Sequence, residues 1–286
     1  MFFRTLLFYT ALLFSFSATA EHLDVHQLMS LVPEPNIKPT YGGPDNKTYK
    51  SGGIGILVYD GGNPTDALGP HQVFSSAGLR PMLISASKDA QGRYKRIIKF
   101  NSGLIVRADR TIADTKNLEV LVVPGGAFET IQMATNPEVL NWIKAIDKNT
   151  IYTTSVCTGS WILGAAGLLQ GKNATSNWYR ADELLTHFGA NPQSLSRYVF
   201  DGKLVTANGV TGGIDMALAI VKKVFSHDLQ DGRDYTQAVM LDLQYDPKPP
   251  VRGGSIAKSE PTVFDAMQTM YDFYDLANTV KMVPIQ

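Results

Sequence analysis

The chain has 286 residues, 44% of them hydrophobic, and its 26 basic side chains balance 26 acidic ones. That composition supplies a sizeable globular core and excludes the strongly basic footprint of a nucleic-acid-binding protein. A single cysteine, Cys157, excludes an intramolecular disulfide framework.

In chain order, Arg4, the mostly apolar run 6–14 and Ala18-Thr19-Ala20 have the pattern of a secretory signal peptide. Residues 1–20 are therefore expected to be removed after Ala20, leaving a periplasmic or secreted chain that starts at Glu21. No cysteine follows the site, which excludes a lipoprotein there. No later segment is long and apolar enough to span a bilayer. Residues 21–50 are polar, carry Pro33, Pro35, Pro39 and Pro44, and read as an arm or linker with one helical turn at 28–32. Residues 51–286 read as one domain.

Within it, the apolar run 55–59 predicts a buried strand. Turn residues 60–64 follow, and then a helix with Pro70 in its first turn. Further strands are predicted at 82–86, 118–123 and 151–156, with β-structure over 97–109 around Asn101-Ser102-Gly103 and a hairpin at 198–206. Helices are predicted at 137–147, 160–169, 178–188, 213–225, 235–245 and 262–277. The alternation implies right-handed βαβ units, a mostly parallel sheet and a single domain. Sites in such sheets lie beyond the strand C-termini. Asp66, Pro124-Gly125-Gly126 and Cys157 each follow an apolar strand, so they are expected at one edge.

Cys157 sits where a strand turns into a helix within Ser155-Val156-Cys157-Thr158-Gly159-Ser160. That arrangement follows the logic of a nucleophile elbow with cysteine in place of serine. Residue type alone favours a buried structural cysteine, whereas the context favours a reactive one. Thr158 or Ser160 is expected to cap the helix, whose N-terminus favours a thiolate. Asp66 reads either as a cap carboxylate or as an acid–base group. Beside Cys157 it would share one proton with the thiol. Gly125 and Gly126 form a tight turn and offer N–H groups to a bound anion or carbonyl. His71 reads as a solvated helix-start residue, His187 as structural, and Asp215 as a helix N-terminal charge. No pattern nominates a histidine partner for Cys157.

Ser155-Val156-Cys157-Thr158-Gly159-Ser160 and Gly164-Ala165-Ala166-Gly167-Leu168-Leu169 resemble the nucleophile segment of the ThiJ/PfpI superfamily. Asp66-Ala67-Leu68-Gly69-Pro70-His71, Pro124-Gly125-Gly126, Thr211-Gly212-Gly213-Ile214-Asp215 and Gln244-Tyr245-Asp246-Pro247 resemble other stretches of the same subgroup. The resemblance is strongest to the isocyanide (isonitrile) hydratases and to the sensor domains of AraC-type regulators. It implies a glutamine amidotransferase-like, flavodoxin-like three-layer α/β sandwich, a homodimer, a small-molecule substrate and no metal or organic cofactor. It gives Cys157 as the nucleophile, Asp66 as the acid–base group and Thr158 as a site residue. Thr158 departs from the peptidase and glyoxalase-like branches, which carry histidine there. Asn177 stands where the hydratase pattern has histidine before Trp178. The implied activity is cysteine-dependent hydration through a thioimidate to a formamide. The alternatives are a non-catalytic binding or sensor protein and a peptidase or glyoxalase-like enzyme.

Overall fold

The computed structural model describes residues 53–126, 128–225 and 229–286, with side chains at 229–231 outside the description. The expected signal peptide and arm, including the turn at 28–32, lie outside the described residues.

The sheet is built from the apolar runs. β1 (Ile54–Val58), β2 (Met82–Ser85), β5 (Arg110–Thr111), β6 (Val120–Val123) and β7 (Tyr152–Val156) join β10 (Tyr198–Asp201) and β11 (Leu204–Ala207) in the order β10-β11-β7-β6-β1-β2-β5. Every pairing is parallel except that of β10 with β11. All residues of β1, β6 and β11 are buried, as strands covered on both faces must be. A short parallel pair, β8 (Asn173–Ala174) and β9 (Asn191–Pro192), forms a separate sheet, and the hairpin β3 (Ile97–Lys99) and β4 (Ile105–Arg107) also stands apart. It is stitched to the β1 exit loop, where Gly61 N donates to Lys99 O at 2.9 Å and Asn101 N to Gly62 O at 3.2 Å.

Two groups of helices flank the sheet. On one side α1 (Pro64–Ser76) packs on α6 (Gly212–Val224), and α6 packs on α7 (Leu229–Asp242). On the other, α2 (Phe128–Ala134), α3 (Pro137–Asp147) and α5 (Ala181–His187) surround α4 (Gly159–Ala165). Strand alternation assigns the faces. Leu57 of β1 and Leu121 of β6 join Trp142, Ile143 and Leu184 in the larger core cluster. The mostly parallel three-layer α/β sandwich is the expected fold.

Several boundaries differ from the sequence reading. α1 begins at Pro64 rather than near Pro70, because Asn63 Oδ1 accepts from the amides of Thr65 and Asp66 and Pro64 suits the first turn. Pro70 therefore lies inside the helix and leaves the Asp66 carbonyl without its usual N–H partner. α4 stops at Ala165, since Gly167 adopts φ +75° and Gln286 N donates to Ala165 O. The apolar residues after it are buried in turns. α5 begins only at Ala181, because Arg180 is left-handed at φ 43°. The single C-terminal helix is two, α8 (Pro261–Phe273) and α9 (Leu276–Lys281), separated at left-handed Asp275. α7 starts six residues earlier than the pattern suggested, and α2 was not anticipated.

Candidate active site

Three strand exits converge. β1 leads through residues 59–63 into α1, which carries Asp66 in its first turn. β6 ends in Pro124-Gly125-Gly126, and β7 ends at Cys157. The Cys157 backbone is left-handed, φ +59°, and its N–H still bonds Ala207 O at 3.0 Å. A non-glycine residue held there is strained by about 1 kcal/mol, as in a nucleophile elbow. The turn closes only because residue 159 is glycine: a Cβ on Gly159 would stand 2.1 Å from Val123 O.

Cys157 is 8% exposed and Asp66 fully buried. One oxygen of Asp66, Oδ2, accepts the Gly125 N–H at 3.1 Å. The other, Oδ1, is buried without a hydrogen-bond partner among the described residues. The Cys157 thiol is the titrating neighbour of this carboxyl. Burial raises the Asp66 pKa from 3.8 to about 7, against the pull of the Gly125 amide and the thiol. Burial, followed by the charge of Asp66, pushes the Cys157 thiol far above its ordinary value. The expected ground-state thiolate is thus corrected. α4 is a seven-residue helix, and its field does not offset desolvation of a buried sulfur beside a carboxylate. The proton stays with the pair.

Thr158 does not cap α4, nor does Ser160. Thr158 Oγ1 donates to Gly126 O at 2.9 Å and accepts from Gly126 N at 3.1 Å, with Thr130 Oγ1 3.0 Å away. Ser160 Oγ and Ser176 Oγ lie 2.6 Å apart, 3.2 and 3.4 Å from the Cys157 carbonyl oxygen. The amides of Gly125 and Gly126, expected to receive a bound anion, are correspondingly engaged by Asp66 and Thr158. They orient those two side chains. Glycine is needed at both positions, since added Cβ atoms would stand 2.4 Å from Thr158 Oγ1 and 2.9 Å from Gly61 O.

Asn177 Nδ2 donates to Cys157 Sγ at 3.3 Å. Its Oδ1 accepts Tyr179 N–H at 3.0 Å, which fixes the amide so that the donor faces sulfur. This contact pulls the thiol pKa downward, as does the Thr158 N–H. The sequence marked Asn177 only as a departure from a pattern. Its reach to residue 157 depends on the turn before α5.

Above the thiol lies a cavity of about 610 Å³. Thr158, Ser176 and Asn177 line its inner end, and Trp178, Ile256 and Tyr271 are among its outer walls. Among the described residues no histidine lines it. His71 is not at a helix start but midway along α1, half-buried, and burial lowers its pKa. His187 ends α5 with Nε2 buried. Asp215, in the first turn of α6, pairs with Arg197 and accepts Tyr245 OH at 2.5 Å. Among the described residues no group of three or more His, Cys, Asp or Glu side chains is placed to hold a metal ion. Among them, too, no helix is long and apolar enough to cross a membrane.

The chain is similar to known proteins. The isonitrile hydratase of Pseudomonas putida is 37% identical over 215 residues, spanning 74% of this chain and 86% of that protein. The HTH-type transcriptional regulator CdhR of Pseudomonas aeruginosa is 28% identical over 129 residues, 45% of this chain and 38% of the regulator. The crystal structure of a ThiJ/PfpI family protein from Pseudomonas syringae superposes with a TM-score of 0.70 at 31% identity, covering 87% of this chain and 98% of that one. Schizosaccharomyces pombe DJ-1 shares the fold at 19% identity and TM-score 0.57, over 68% of this chain and all of the other. The DJ-1/PfpI family pattern matches residues 53–223, which hold Asp66, the glycine turn, Cys157 and Asn177, and the chain belongs to that family.

Proposed function

We propose that the protein is a cysteine-dependent isonitrile hydratase converting R–N≡C and water into the formamide R–NH–CHO. The observation that carries this reading is the buried pair of Cys157 and Asp66, with Cys157 lining a cavity of about 610 Å³. Its similarity to the P. putida enzyme supports it. Asp66, poised near pH 7, accepts the thiol proton as Sγ bonds to the terminal carbon. The same carboxyl returns that proton to the carbon, giving the thioimidate R–N=CH–S. Asp66 then takes a proton from water as the water oxygen adds to this carbon, and passes that proton to the nitrogen. Collapse of the tetrahedral adduct breaks the C–S bond, and the hydroxyl proton moves through Asp66 to sulfur, which releases the formamide and restores the thiol. Asn177 and the Thr158 N–H favour negative charge on sulfur as the proton leaves. Thr158 and the glycine turn hold the geometry.

Residues 1–20 serve as an export signal and the mature protein works outside the cytoplasm as a homodimer. Phe273 (82%) and Met282 (74%) are exposed apolar side chains available for self-association. The reading is tested by following N-phenylformamide production from phenyl isocyanide. Turnover lost in Cys157→Ser upholds it, and equal rates in both proteins overturn it. A second reading, ligand sensing without turnover, draws on the regulator match. It predicts saturable binding that Cys157→Ser leaves unchanged, with no product. The peptidase and glyoxalase-like readings have less support, because Thr158 stands where those branches carry histidine.

A further inference from the structure

The Cys157 cavity continues into a smaller hollow of about 220 Å³. The two share Trp178, Gly254, Ser255 and Ile256, and the hollow is bounded on its other side by Val263, Phe264 and Met267 of α8. Its character is opposite to that of the thiol end. There Thr158, Ser176 and Asn177 present hydrogen-bonding groups; here the walls are chiefly hydrocarbon and aromatic. Trp178 is set edge-on against Phe264 at 6.0 Å and Tyr271 at 5.5 Å, so the wall common to both spaces has a defined orientation. α8 contributes no fully buried residue, yet it is tied down. Tyr179 OH donates to Asp272 at 2.6 Å and Arg180 Nε at 3.2 Å. Ile256, Val263 and Met267 remain 45%, 55% and 40% exposed on this concave surface. A concave, aromatic-lined space opening into a cavity with a few polar groups is the usual form of a small-molecule subsite. An apolar cavity of about 150 Å³ holds benzene, so this one has room for a six-membered ring and a short attachment. The walls from 254 onward lie outside the family match, which ends at residue 223.

We propose that this annex is the subsite for an apolar, ring-bearing substituent of the substrate, with Trp178, Val263 and Met267 as its specificity-determining residues. The proposal rests on the reading that the Cys157 cavity turns over an isonitrile, and its test separates the two. Val263→Trp and Met267→Trp fill the annex from partly exposed positions, so neither disturbs the core. The KM for phenyl isocyanide is expected to rise about ten-fold in each, the loss of one buried ring's contact. The KM and kcat for methyl isocyanide stay unchanged, which also shows that the variants are folded. Equal KM for phenyl isocyanide in the variants and the parent overturns the annex while leaving the hydratase reading in place. If neither isonitrile is turned over, calorimetric titration of toluene into the Cys157→Ser protein decides. Binding that either tryptophan removes upholds the annex without the reaction. No binding, or binding that both variants retain, overturns it.

Discussion

At Asp66 the stability and the chemistry conflict. Its pKa of about 7 in the folded protein stands against an ordinary 3.8. The fold holds this proton more tightly than the unfolded chain does. The resulting stabilisation is complete below about pH 4 and is lost as pH rises through about 7. Ionised Asp66 therefore costs at most about 4 kcal/mol at and above neutral pH. Asp66→Asn keeps an oxygen for the Gly125 N–H, so thermal melting at pH 8 should show a higher Tm with activity abolished; an unchanged or lower Tm would contradict the burial cost. The acid limb of kcat/KM should have an apparent pKa near 7 that belongs to the Asp66–Cys157 pair. Asn177→Ala removes a donor to the developing thiolate. Alkylation of Cys157 by iodoacetamide at fixed pH should slow about ten-fold, with the fold intact by circular dichroism. The elbow was legible in the sequence because a β-rich run, a cysteine and a small-residue helix adjoin. The Asn177 contact was not, because the side chain returns to sulfur through a turn twenty residues along. The sharing of the glycine amides with Asp66 and Thr158 was equally invisible, since it depends on three separate strand exits meeting.

At the scale of elements, the site depends on how closely three loops approach one another. Gly159→Ala would place a Cβ 2.1 Å from the Val123 carbonyl, and backbone cannot yield there as a flexible side chain would. Urea unfolding should show a loss of about 3 kcal/mol or more, together with loss of activity. A neutral result would mean that the β6 and β7 exits are not packed as described. The strands were readable because their residues are apolar without interruption and bounded by turn chemistry, as in 54–58 and 120–123. Helix ends were less so. Ala166 and Leu169 continue the apolar pattern of α4 because they are buried, although residues 166–170 form turns. The left-handed backbones of Arg180 and Asp275 carry no glycine to announce them. Asn63, in contrast, is a legible cap that a reading centred on Pro70 passed over.

For the whole molecule, the proposed export and the proposed covalent chemistry would make separate demands on one cysteine. Burial keeps the Cys157 thiol protonated and shielded, which suits an unpaired sulfur in an oxidising compartment. N-terminal sequencing of protein recovered from the periplasm or medium should begin at Glu21; recovery of intact Met1 from the cytoplasm alone would contradict export. The layer order was visible in the alternation of strands and helices. The cavity's apolar outer wall was not, because it is assembled from the 254–276 region against Trp178. Intact-protein mass spectrometry after rapid quenching in saturating phenyl isocyanide tests the central claim most directly. The account predicts one added isonitrile, mapped to Cys157 and absent from Cys157→Ser. Formamide accumulating from the Cys157→Ser protein without any adduct would contradict it.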